Sequence, residues 1–473
     1  MNRRSTRTAR SSAGLSFAWG EWIPVFFLMF VVLFGGSGRS DVASLPILRG
    51  GSLLFACWAA TRLSSEDWHR IRVPLTLWFA ATVWMAIQLI PLPPEVWHAL
   101  PGREIIVQID GLVGQSGLWR PISLSPSQTM NSLLAMTVPL AALLVAAQAP
   151  AEHYRRLTLA IIGIACFSVL LGVMQMLSGP GSAFYLYRIT NVTNMVGLFA
   201  NSNHHALFLA AAVALIGAAL RDELIRKRRN KLLVGLLGAA GLFIVVVTPF
   251  TGSRLGFLAA GAAFAISYLM VVLTWRSQSE ESTPTRRGTP APKLARYLIY
   301  SPPVLLVAAL GSVLFLTNRV TSLSRAFGED VAGDLRVQAW PTVQSMIETY
   351  WQLGSGFGSF PGVYKIYEPD NLLQANYFNH AHNDWAELLI TGGAPFALVV
   401  LGLILWLAIR FWSLGLRNLL GARRGDLRLP VIVVVGLLAT ASIAEYPLRV
   451  PSIQAFAVVL IVMLCSPKMV RTV

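Results

Sequence analysis

The sequence predicts an all-α integral membrane protein of about twelve transmembrane helices with a large, partly helical loop outside the bilayer. Three observations carry this. Hydrophobic residues make up 55% of the 473 residues. Charged residues make up 13%, roughly half the quarter or so found in soluble domains. Apolar runs of about 20 residues, enough to cross about 30 Å of hydrocarbon as helix, recur along the chain.

The runs fall near 20–36, 45–62, 73–91, 130–149, 157–177, 204–220, 231–250, 254–274, 297–317, 383–409, 429–446 and 452–467. The first follows the basic stretch MNRRSTRTAR. No small-x-small cleavage site comes after it, so it reads as an uncleaved span and not as a signal peptide. The expected organisation is a basic cytoplasmic N-terminus (1–19), nine spans (20–317), an outer loop (318–382), three spans (383–467) and a cytoplasmic tail (468–473).

Lys and Arg in short loops set the orientation. With the N-terminus in the cytoplasm, the inner segments hold 27 of the 38 basic residues against 9 of the 22 acids. The excess of +16 therefore follows from topology, with basic loops facing anionic headgroups, and calls for no nucleic acid. Two outer segments are long, about 91–129 and 318–382, and loops of that length are commonly functional or disordered. DLRVQAWPTVQSMIETYW has helical spacing, so the second is partly folded. The inner RSQSEESTPTRRGTPAPK reads as a disordered linker. Cys57, Cys166 and Cys465 each sit in an apolar run and read as small core residues.

Chemistry-bearing residues crowd the outer ends of the spans. FNHAHNDWAELLITGGAPF opens the tenth run with His380, His382, Asn383, Asp384 and Glu387. Asn379 is a candidate helix cap. His380 with Asp384, and Asn383 with Glu387, are four apart and would each share a helix face. Arg254 stands at the mouth of a span, where a charge is costly and usually has a task, although an arginine there also snorkels. Arg188, Asn203 and His204 precede another span, and Asn203 also suits a cap. Arg336 lies in the large loop; Glu445 and Arg449 share the last outer turn and would form an ion pair. Together, Arg254, Arg336 and His382 meet the needs of sugar transfer from a lipid diphosphate. Guanidinium groups grip phosphate oxygens in pairs and stay charged. An imidazole has the proton affinity to activate an acceptor hydroxyl. No Asp-x-Asp motif is present, so metal-dependent sugar-nucleotide transfer is not expected. The first outer loop holds the lone Asp41, which argues against oligosaccharyltransferases and mannosyltransferases that use an acidic pair there, and there is no P-loop or GxSxG.

The motifs resemble the bacterial O-antigen ligase/polymerase superfamily. HAHNDWAELLITGG is similar to its signature, His-Asn followed after nine residues by a glycine: His382-Asn383 and Gly393 here. Phe396 departs from the small residue or tyrosine frequent three positions on. GLFANSNHHALFLA, TGSRLGFLA, DLRVQAW…YWQLGSGFGSFPGVYKIYEP and EYPLRVP resemble further family stretches, so the similarity runs from about 185 to 465.

The resemblance implies a GT-C-like helical fold and a metal-independent, inverting glycosyltransferase without a cofactor. It implies a bacterial inner membrane location, an active site facing the periplasm and both termini in the cytoplasm. The donor would be a glycan on undecaprenyl diphosphate; the acceptor, another glycan or lipid A–core. A flippase and a chain-length regulator are implied neighbours. Arg254 and Arg336 would engage the diphosphate and His382 would activate the acceptor, although His380 lies equally near the helix mouth. Arg188, Asn203, His204, His380, Asn383, Glu387 and Arg449 are the expected substrate contacts, with no metal ligands. Polymerisation of O-antigen or exopolysaccharide repeats is the favoured activity, with ligation to lipid A–core as the alternative. A lipid-linked-sugar transporter is the competing class. The scarcity of ionisable residues within the spans weighs against it.

Overall fold

The computed structural model describes residues 19–150, 153–281, 293–316, 335–373, 378–413 and 426–465. The basic N-terminus, the residues 282–292 of the expected linker, the loop residues 317–334 and the C-terminal tail lie outside the described residues. Of the described residues, 74% are helical. Among the described residues the one sheet is a two-residue antiparallel pair, Pro91–Leu92 with Arg120–Pro121.

A helix lies in each of the twelve apolar runs. Among the described residues, five stretches are long and apolar enough to cross a membrane: Pro126–Gln148, Tyr154–Ser178, Lys231–Thr251, Arg254–Gln278 and Asp384–Ser413. Five more helices are apolar but shorter. Boundaries move where local chemistry demands. The third helix starts at Ser65 and not near 73, because the side chains of Ser64 and Asp67 cap one another's backbone N–H groups. The helix Ser202–Ile225 forms the centre of the bundle. It packs against Tyr154–Ser178, Lys231–Val247, Arg254–Glu281 and Arg428–Ala441. Its run AAAVALIGAA explains why, since small side chains let backbones approach closely. A Cβ added at Gly256 would meet that of Ala206 at 2.2 Å. Of the cysteines expected in the core only Cys465 is buried; Cys57 is exposed and Cys166 half-buried. An apolar residue on a helix in lipid can face outward without cost, so an apolar run alone does not mark the core.

The two long loops fold together over one end of the bundle, here the loop end. Leu124 N–H donates to Ser355 O (2.8 Å), and Thr129 Oγ1 donates to Phe357 O (2.8 Å). Arg103 is buried between Trp97 and Tyr350 and donates to Ile122 O (2.6 Å). Residues 335–373 have their own core, in which Val343, Met346, Phe360 and Tyr364 pack with Ala386 and Ile390 of the tenth helix.

That tenth helix is broken. Gly393 has φ 66° and ψ −169° inside Asp384–Ser413, and Pro395 follows with no N–H to give. In a membrane the freed backbone groups need partners. Ser355 N–H donates to Ile390 O (2.8 Å), Gly356 N–H to Thr391 O (3.0 Å) and Trp84 Nε1 to Gly392 O (2.6 Å). Gln88 Nε2 also donates to Thr391 O (3.0 Å), and Ala394 N–H donates to Trp351 O (2.6 Å). The loop LGSGFGSF thus docks on the break through its backbone, which requires glycine on both sides. A Cβ at Gly354 would meet Thr391 O at 2.3 Å, and one at Gly393 would meet Gly354 N at 2.6 Å.

Replacing Gly393 by Ala is expected to cost at least about 1–3 kcal/mol, from backbone strain plus the clash with the docked loop. Thermal unfolding of the detergent-solubilised protein should show a clear loss for Gly393→Ala and none for Gly235→Ala, where an added Cβ meets nothing within 4 Å.

Candidate functional site

Asp384, Glu387 and Glu445 are buried at the loop end, each 1–3% exposed. A buried carboxylate needs cations and hydrogen bonds. Their partners define two linked clusters.

The first surrounds Glu445, in the turn between the last two helices. Arg336 lies 2.8 Å from Glu445 Oε1 and also donates to Ala444 O (3.3 Å). Asn203 Nδ2 donates to the same Oε1. His382 Nδ1 stands 3.6 Å from Oε2, and neither of these two atoms has a hydrogen-bond partner among the described residues. Burial favours the protonated acid, but His382 and Arg336 outweigh it and hold the Glu445 carboxyl below the ordinary carboxylate range. His382 has φ 49°, the single positive φ outside glycine among the described residues. Such outliers cluster at functional sites.

The second cluster orders the entry of the broken helix. Glu387 accepts from His380 Nδ1 (3.0 Å) and Ala381 N–H (2.9 Å), and Arg449 lies 3.2 Å away. Arg449 also bridges to Asp384 (3.3 Å), which accepts from Ser442 Oγ (3.2 Å) and Leu448 N–H (3.3 Å). The turn 442–449 is thereby latched to the helix start. Tyr446 joins the clusters: its ring centre lies 4.2 Å from that of His380, 4.9 Å from His204 and 5.1 Å from His382. Burial pushes the Tyr446 hydroxyl up, tempered by the side chains of Asn201 and Asn379. His204 is 1% exposed, and neither ring nitrogen has a hydrogen-bond partner among the described residues.

The structure thus brings Arg336, His382 and Asn203 onto one carboxylate, with His204 and His380 on the shared tyrosine. Arg254 heads its helix at the same end, because Gly256 packs on Ala206, two residues from His204. Arg188 is exposed beside Asp41; the Arg39 ion pair (2.9 Å) and then the Arg188 charge lower that carboxyl. The adjoining loop is held by Tyr187, whose hydroxyl accepts from Gly36 N–H (2.7 Å).

Four local expectations change. Asn383, and not Asn379, caps the helix, its Oδ1 accepting from Ala386 N–H (3.0 Å). His380 lies before the helix and pairs with Glu387, so the i,i+4 pairing with Asp384 does not form. Asn201 caps the central helix, which leaves Asn203 free to bind Glu445. Glu445 and Arg449 serve different clusters and not each other, because the turn between them points the two side chains to opposite partners. Sequence reasoning gave Glu445 no role at the site and passed over Tyr446. The signal was a lone acid inside EYPLRVP, a short turn between two apolar runs.

Fold and site define a multi-pass, all-α membrane protein with a preorganised cationic and imidazole cluster under a folded loop. A family model described as O-antigen ligase matches residues 238–407. The match takes in Arg254, Arg336, His380, His382 and Gly393, and bears out the resemblance to the O-antigen ligase/polymerase superfamily. It supports a glycosyltransferase-like membrane enzyme. No curated protein matches the chain.

Removing Arg449 would strand Asp384 and Glu387 in the interior. Arg449→Ala should lower stability by about 3–5 kcal/mol, read as a fall in melting temperature; an unchanged value would refute the latch.

Proposed function

We propose that the protein transfers a glycan from undecaprenyl diphosphate to a sugar hydroxyl at the periplasmic face of a bacterial inner membrane. The reading takes the twelve helices as spans of a GT-C-like fold, with both termini cytoplasmic. The observation that carries it is the shared Glu445 carboxylate, with Arg336 at 2.8 Å and His382 at 3.6 Å. A guanidinium for the leaving diphosphate and an imidazole for the acceptor stand side by side.

In this scheme Arg336 and Arg254 hold the diphosphate oxygens. Glu445 faces Nδ1 of His382, favours the Nδ1–H tautomer and leaves Nε2 to take the proton. The acceptor oxygen attacks the anomeric carbon from the face opposite the leaving group. The bond from that carbon to the phosphate oxygen breaks, undecaprenyl diphosphate departs, and the configuration inverts. The 3.6 Å contact fits such a role, since catalytic hydrogen bonds are often long in an unliganded enzyme. His380 is less suited to be the base, since its carboxylate partner is also held by Arg449 and the Ala381 N–H. Asn203, His204 and Asn383 in the clusters and Arg188 on the loop near Asp41 are candidate sugar or phosphate contacts; Glu387 and Arg449 position the helix entry.

Polymerisation of O-antigen or exopolysaccharide repeats is the first reading. Ligation to lipid A–core is the second, favoured by the match to a family described as O-antigen ligase. In a knockout strain, single repeats on lipid A would mark a polymerase. Full-length chains stranded on the carrier lipid would mark a ligase.

Arg254→Ala, Arg336→Ala and His382→Ala are each expected to abolish transfer in a purified assay while membrane insertion stays normal. Arg336→Lys should fail as well, because an ammonium cannot form the paired contact. Transfer should survive EDTA, and a strict divalent-metal requirement would count against the scheme. Glu445→Gln should slow transfer by about 10²-fold or more, the usual scale for losing general-base help; wild-type rates in that variant would exclude the tautomer role.

A further inference from the structure

From the opposite, basic end of the bundle, a groove of about 980 Å³ runs between the helices Ile23–Phe34 and Tyr154–Ser178 as far as Phe34 and Leu198. We propose that it binds an anionic phospholipid, with the acyl chains along its walls and the phosphate at its arginines. The walls are apolar, and Met29, Leu33 and Phe167 among them are more than half exposed. Gly163 lines the groove, and a side chain added there would meet nothing within 4 Å.

Every charged residue in the lining is an arginine: Arg155, Arg156 and Arg226. They are braced by acids outside the lining. Glu223 lies 2.6 Å from Arg155 and 3.1 Å from Arg226, and Glu21 lies 3.2 Å from Arg156. Arg156 also sits over the Trp22 ring (4.6 Å), a pairing of cation and indole suited to headgroup depth. Lys227, Arg228, Arg229 and Lys231 follow Arg226, all exposed and with no acid among them. The braced arginines neutralise their acids, and the exposed run adds the surplus positive charge. A phosphate diester matches the guanidinium geometry, and the apolar walls match its chains. A free phosphate would satisfy only the arginines, and a zwitterionic lipid would bring its own cation to them. The arginines lie at the other end of the bundle from the Glu445 cluster, and the proposal does not rest on the glycosyl-transfer reading.

The test is thermal unfolding of the full-length protein in detergent, titrated with phosphatidylglycerol, phosphatidylcholine or inorganic phosphate. Phosphatidylglycerol should raise the melting temperature by several degrees, and the other two should leave it unchanged. Gly163→Leu should remove the shift by filling the groove. Arg156→Gln, at a partly exposed position, should raise the phosphatidylglycerol concentration for half the shift by about threefold or more, as expected for a lost charge-assisted contact. No shift, an equal shift from phosphatidylcholine, or a shift untouched by Arg156→Gln would overturn the proposal. The last readout stands even if Gly163→Leu fails to fold.

Discussion

Three carboxylates buried at one end of an apolar bundle are the constraint on which the loop end depends. Neither Asp384, Glu387 nor Glu445 can remain ionised there without cations. The chain meets that need with residues distant in sequence: Arg336 from the large loop, His380 and His382 from the helix entry, Arg449 from the last turn. Satisfying the acids therefore fixes where the loop, the broken helix and the final turn sit relative to one another. The groups that neutralise the acids are the same groups suited to bind phosphate and to move a proton, so the folding requirement and the proposed chemistry share one set of atoms.

A second constraint comes from the backbone. The break at Gly393 exposes carbonyls that lipid cannot satisfy, and Ser355, Gly356, Trp84 and Gln88 supply the donors. The docked loop is continuous with the segment carrying Arg336, so closing the break also places that guanidinium. This gives the signature glycine, eleven positions after His382, a physical task that its spacing alone does not reveal. It must take a positive φ and let Gly354 approach its backbone.

The apolar runs and the crowding of polar residues at the ends of the helices were legible in the chain, because span length and hydropathy are local properties. Arg336, His382 and Asn203 were singled out from their motifs, and they do meet. Glu445 was noted only as an ion-pair partner for Arg449, because its importance lies in which partners it reaches. A lone acid in a turn looks alike in sequence whether it faces water or anchors a site. Caps were misjudged for a related reason: Asn379 and Asn383 suit the role equally, and only the path of the chain into the helix selects Asn383.

The sequence by itself determined a helical membrane protein, its family resemblance and the residue types of its candidate site, since these follow from composition and motif. The tertiary structure alone decided that two clusters share Tyr446, that Glu445 and Arg449 part company, and that a helix breaks to receive a loop. Those outcomes depend on contacts between segments far apart in the chain, and no local pattern encodes the distance at which two such segments come to rest.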